Sequence, residues 1–195
     1  MKKLFLILMM VLLAAVLIIS CESDMNDLDK RKYKVGDTGP AGGIIFYVNP
    51  NSKADKWTYL EVGKSDASDQ GTYEFKWGAT GEECGTGEKT GDGLNNTKKL
   101  SGKGSSYQAA SAVYGKDLYG NKYKDWFIPS KGEIKLLYES IKSGELYPEY
   151  FSPGFYWSSS ECSDSSAWKI ELLGRDSYGE ESRTSLCRVR PVRRF

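Results

Sequence analysis

The sequence predicts an α+β domain, and three features carry that reading. The apolar segments are short and separated by turn residues, in a chain of 195 residues with 21 glycines. Aromatic residues are plentiful, with 13 Tyr and 5 Trp, as suits strands and loops. The stretch "PSKGEIKLLYESIKSG" supplies the clearest helix, so the class is mixed.

The chain opens "MKKLFLILMMVLLAAVLIISCESD". Two lysines, an apolar run from Leu4 to Ile19 and a small residue before Cys21 have the form of a secretory signal. The run is close to the lower limit for a membrane span. "LIISC" resembles a bacterial lipobox, which makes Cys21 the lipidated first residue of the mature protein. That reading is set against an uncleaved anchor or an ordinary secreted protein. Residues 1–20 are the expected signal peptide. Residues 21–33, polar and without apolar periodicity, are an expected flexible tether.

From Lys34 onward about 160 residues remain, enough for one domain with a core. In "KVGDTGPAGGIIFYVNP", Gly36, Gly39 and Gly42 follow a collagen spacing. The register fails at Gly43 and gives way to the β-branched and aromatic run "IIFYV", which predicts a strand entered through a Gly-rich turn. "KWTYLEVG" predicts a second strand paired with the first. Residues 78–93 hold too many glycines for regular structure and predict a long, flexible loop. "LNNTKKLSG" and "SSYQAASAVYGKDL" predict short helices, the second packed through Ala109, Ala110, Ala112 and Val113. In the main helix Ser130 and Glu133 form a capping-box pattern. Ile134, Leu137, Tyr138 and Ile141 make one apolar stripe, and Gly144 ends it. "GFYWSSS", "SAWKIELLG", "RDSYG" and "SLCRVRPVR" predict an antiparallel meander or a pair of hairpins.

The chemistry on offer is sparse. There is no histidine, which removes a His-based triad, the common zinc sites and the usual neutral-pH base. The 27 basic residues balance 26 acidic ones, so nucleic-acid binding through bulk charge is excluded. Cys84, Cys162 and Cys187 lack CxxC spacing. In an exported protein two of the three should pair. Cys162–Cys187 is the expected disulfide, with Cys84 as the odd thiol. "GTGEKTGDG" lacks the Gly-Lys-Ser/Thr ending of a phosphate loop. Asp92, Asn95 and Asn96 offer oxygen ligands without the alternation of a calcium loop. The adjacent pairs Glu82–Glu83 and Glu180–Glu181 read as solvated charge. No motif requires a cofactor or a metal, and none is expected.

The basic end, "CRVRPVRRF", offers guanidinium forks suited to carboxylate or sulfate. Arg183, Arg193 and Arg194 are the candidate ligand-binding residues. Alternation places Arg188 and Arg190 on one face, where pairing with acids such as Glu161, Glu171 or Asp176 is the simpler use. Trp126, Trp157 and Trp168 could stack on sugars, although burial in the core is the commoner fate of tryptophan.

"VGDTGPAGGIIFYV", "YLEV", "DWFIPSKGEIKLLYESI", "FYWSSSE" and "RVRPVRRF" occur in that order. Together they resemble the C-terminal domain family of the Legionella collagen-like adhesin, over nearly all of residues 34–195. The resemblance implies a C-type-lectin-like domain on a surface-attached protein without an established catalytic role. For the namesake it also implies a homotrimer that binds sulfated glycosaminoglycans. Here a lipid tether replaces the collagen repeat, and the domain is nearly neutral. The expectation is a membrane-anchored surface lipoprotein, not an enzyme, that binds a host or envelope glycan or protein. The alternatives are an enzyme akin to formylglycine-generating oxidases, with Cys162 and Cys187 as its thiol pair, and an envelope scaffold without a soluble ligand.

Overall fold

The computed structural model describes residues 32–174 and 178–195. Cys21, the signal segment and nearly all of the tether lie outside them. Among the described residues no helix is long and apolar enough to cross a membrane.

Val35–Phe195 forms a compact unit of α+β class built on two sheets. Strands β1 (Ile44–Val48) and β2 (Tyr59–Val62) pair antiparallel, as their sequences predict. The short helix α1 (Ser52–Asp55) sits in their connection. A C-terminal strand, β8 (Val192–Arg194), completes this three-stranded sheet on the other side of β2.

The second sheet has five strands in the order β3-β7-β4-β5-β6. Here β4 is Phe155–Glu161, β5 Ser166–Glu171 and β6 Tyr178–Ser182, an antiparallel meander as predicted. The first three residues of the "RDSYG" segment lie outside the described residues, and the strand runs on from Tyr178. Strand β7 (Leu186–Arg188) meets β4 in parallel and pairs antiparallel with β3 (Glu74–Lys76) on its outer side.

"SLCRVRPVR" is therefore not one strand. It contributes β7 to one sheet, passes through Val189–Pro191 and contributes β8 to the other. Pro191 has no N–H to continue a ladder, which fits the change of sheet at that point.

Both faces of the five-stranded sheet are covered. Tyr156 and Trp157 are consecutive and fully buried, and they enter different cores. Trp157 packs with Phe75, Trp77 and Trp126 beneath α2 (Gly93–Ser101) and α3 (Gln108–Val113). The predicted packing face of α3, Ala109, Ala110, Ala112 and Val113, is buried there. Tyr156 and Ile170 pack with Phe46, Leu60 and Val62 of the first sheet and with α4 (Lys131–Lys142). The stripe Ile134, Leu137, Tyr138 and Ile141 lies wholly in this second core, and the Ser130–Glu133 capping box is complete.

Candidate functional site

The arginines proposed as ligand contacts turn inward. Arg183 is fully buried. Its Nη2 lies 2.6 Å from Glu161 Oε2, and the same nitrogen donates to the Ser163 carbonyl. Nη1 donates to Glu82 O at 2.8 Å, and the guanidinium carbon stands 4.6 Å from the Trp77 ring centroid. Arg193 is also buried: Nη1 reaches Glu61 at 3.1 Å and Nη2 reaches Asp125 at 2.9 Å. Arg194 donates to Gly91 O at 2.7 Å. Arg183 and Arg193 therefore hold the fold together, because a buried guanidinium must spend its donors on acceptors within reach, and half-buried Arg194 ties the last strand to the loop at Gly91. Arg188 and Arg190 pair internally as anticipated, but their acid is Asp66, at 3.1 and 2.8 Å.

The long loop is another correction. It is irregular, yet side chains distant in sequence tie it down. Glu161 accepts from Cys84 N and Thr86 N at 2.6 and 2.9 Å. Burial pushes the Glu161 carboxyl up, and these bonds with Arg183 outweigh it, so the group is held below the ordinary value. Asn96 brackets Gly87 from both sides, receiving from its N and donating to its O. Glu133 accepts from Gly91 N at 3.0 Å and from Ser130 N at 2.7 Å, and burial raises its pKa to about 7. The calcium-like residues thus have other work: Asn96 clamps the loop, and Asp92 accepts from Lys89 N.

The expected Cys162–Cys187 bridge is not formed, and Cys84, Cys162 and Cys187 all carry free thiols. The register gives the reason. Tyr156 of β4 stands beside Arg188 of β7, which puts Cys187 near the start of β4, whereas Cys162 follows its last residue. At about 3.3 Å per strand residue, seven residues separate the two by roughly 20 Å or more, beyond the ~7 Å reach of a disulfide. Burial raises both thiols to about 12, so neither is a thiolate at neutral pH. That weighs against the reactive pair an oxidase would need.

Two of the three candidate stacking tryptophans, Trp126 and Trp157, are core residues. Trp168 is partly exposed, but Lys131 Nζ covers its ring at 3.4 Å from the centroid, and its Nε1 donates to Glu88 at 2.7 Å.

The feature best suited to a ligand was not among the sequence candidates. A groove of about 510 Å3 runs between edge strand β3 and helix α3. Phe75, only 4% exposed, also lines it. Asp69, Gln70 and Thr72 form one wall, and Ser105, Gln108 and Ser111 the other. The turn at Asp69–Thr72 is closed by backbone bonds in both directions, each 2.9 Å. Its central residues, Gln70 and Gly71, have φ of 48° and 85°, the paired positive values of a type I′ turn. Gln108 Oε1 accepts from Lys76 N at 3.2 Å and so blunts the open edge of β3. Tyr73, next to Thr72 in the chain, is 51% exposed. The walls present hydroxyl, amide and carboxylate groups without a cation, a set that both donates and accepts hydrogen bonds. No family model matches this chain, and no curated protein matches it.

Proposed function

We propose that the protein is an envelope lipoprotein, tethered through lipid on Cys21, whose domain of residues 34–195 is a binding module for hydroxyl-rich, uncharged glycans. The single observation that carries the choice of ligand is the groove beside β3. It is lined by Ser, Thr, Gln and Asp residues around a nearly buried Phe75. Hydroxyls of a sugar alternate as donors and acceptors, and these residue types answer both roles. Tyr73 supplies an exposed aromatic face at the same turn.

This reading keeps the lectin-like, non-catalytic character that the sequence resemblance implies and changes the ligand. Arg183 and Arg193 are committed to Glu161, Glu61 and Asp125, so the sulfate or carboxylate groups of an anionic glycan lose their expected partners.

The test is a glycan array of neutral and sulfated glycans probed with the purified protein, with Tyr73→Ala and Gln108→Ala alongside. Neutral glycans should bind, binding should persist at high salt, and both variants should weaken it. Binding confined to sulfated glycans and abolished by salt would overturn the proposal. Acylated Cys21 at the mature N-terminus, found by mass spectrometry, would support the tether; an intact Met1–Ser20 segment would remove it.

A further inference from the structure

A second recess, of about 180 Å3, lies on the other side of the Asp69 turn. It is lined by Ser65, Ser68, Lys116 and Asp117, among others, and Asp69 lines both recesses. Helix α3 is shared in the same way, since Ser111 faces the groove and its neighbour Ala112 the second recess. Among the described residues the carboxylate of Asp69 and the side chains of Gln70, Thr72 and Ser105 make no hydrogen bond. The shared, exposed residue thus presents its carboxylate at the junction of the two depressions.

We infer that the two recesses form one continuous track, with Asp69 as its joint, and that the track takes an extended glycan chain of several sugar units rather than a single sugar. The inference rests on the glycan reading above. A lone sugar would fill the groove and leave the second recess empty. A chain passing over Asp69 gains the hydroxyls of Ser65 and Ser68 and the ammonium of Lys116, each able to hydrogen-bond a sugar oxygen. Each such bond is worth about 1 kcal/mol net, or about fivefold in affinity. Two or three of them make chain length a strong determinant of binding.

The experiment is calorimetric titration of the full chain in detergent with uncharged probes of rising length. The probes are the monomer, dimer, tetramer and hexamer of linear β-1,4-linked and α-1,4-linked glucose and of β-1,4-linked N-acetylglucosamine. In one series, affinity should rise by about tenfold or more from monomer to tetramer. The double variant Ser68→Ala/Lys116→Ala, at two exposed positions, should remove about fivefold or more of the tetramer's affinity and leave the monomer's unchanged. Gln108→Ala should weaken both. Equal affinity for monomer and tetramer, or a tetramer indifferent to the double variant, would overturn the track while leaving the groove. Binding by no probe would remove the glycan reading itself.

Discussion

Glu61 and Arg193 stand directly opposite one another across the β2–β8 pair, with Arg193 Nη1 3.1 Å from Glu61 Oε2 and both side chains almost wholly buried. The same carboxylate accepts from Gly43 N at 2.7 Å and Ala41 N at 3.1 Å. That explains why positions 39 and 43 are glycines. A Cβ on Gly39 would lie 2.4 Å from the Glu61 carboxyl carbon, and one on Gly43 would lie 2.1 Å from the Val62 carbonyl oxygen. The glycines let the chain close around a buried acid.

Arg193→Ala should therefore cost about 3–5 kcal/mol in chemical denaturation, because it strands the Glu61 charge in the interior. Arg194→Ala, which loses one bond to the Gly91 carbonyl of a partly exposed loop, should cost about 1 kcal/mol. An Arg193→Ala protein as stable as the wild type would show that the pair does not hold the sheet edge together.

The thiols give a second outcome. Non-reducing peptide mapping should recover Cys84, Cys162 and Cys187 unlinked. Iodoacetamide at mildly alkaline pH should leave Cys187 unmodified until denaturant is added, since burial pushes its thiol up to about 12. The Cys162→Ser/Cys187→Ser variant should not show the loss of about 3 kcal/mol that removing a disulfide would bring. A linked Cys162–Cys187 peptide would contradict the register of β4 and β7.

Glu133 predicts a pH dependence. Burial lifts its folded-state pKa from 4.5 to about 7, against the hydrogen bonds from Ser130 and Gly91 and the nearby charge of Arg194. Between those values the folded state holds a proton that the unfolded chain releases, so stability falls as pH rises from 4.5 through 7. The full effect is about 3 kcal/mol. Glu88, Glu161 and Glu181 are shifted the other way and act below pH 4.5. Urea denaturation at pH 5 and pH 8 should show the wild type more stable at the lower value. Glu133→Gln should flatten the difference, and a variant with the same slope would place the titration elsewhere.

How much of this was legible beforehand depended on the range of the interaction. The capping box at Ser130, the stripe of α4, the β1–β2 pairing and the β4–β5 hairpin are local patterns, and each appears where its pattern falls, whereas β6 shares only Tyr178 and Gly179 with "RDSYG". Arg183, Arg193 and Arg194 are not legible as internal partners, nor Asp66 as the acid of Arg188 and Arg190, because alternation assigns a side chain to a face without naming its acceptor. Glu61 and Asp66 lie more than a hundred residues from Arg193, Arg190 and Arg188. The loop around Gly87 is fixed by Asn96, Ser160 and Glu161, and the "FYWSSSE" motif that holds the last two does not say what they bind. Strand β3 has three residues, too few for a period to register. The groove joins a turn at 69–72 to a helix starting at Gln108, using ordinary polar residues. "DQGT" does carry one signal, a Gly at the second central position of a tight turn, but no cue of ligand.

The turn at that groove supports a last prediction, because Gln70 holds a left-handed backbone, with φ at 48°. Such a conformation costs a non-glycine residue on the order of 1 kcal/mol or more, and asparagine tolerates it better than glutamine. Gln70→Asn should therefore raise stability by up to about 1 kcal/mol, as relief of strain at compatible sites does. The shorter side chain draws its amide back from the groove, so neutral-glycan affinity should fall while the fold gains. Gln70→Gly relieves the strain too, but the freer unfolded chain offsets much of the benefit. It removes the amide altogether and should bind more weakly than Gln70→Asn. Urea midpoints and glycan titrations on the three proteins decide it. Stability and affinity should move in opposite directions in Gln70→Asn. Full affinity in Gln70→Gly would mean that the strained residue serves the turn and takes no part in binding.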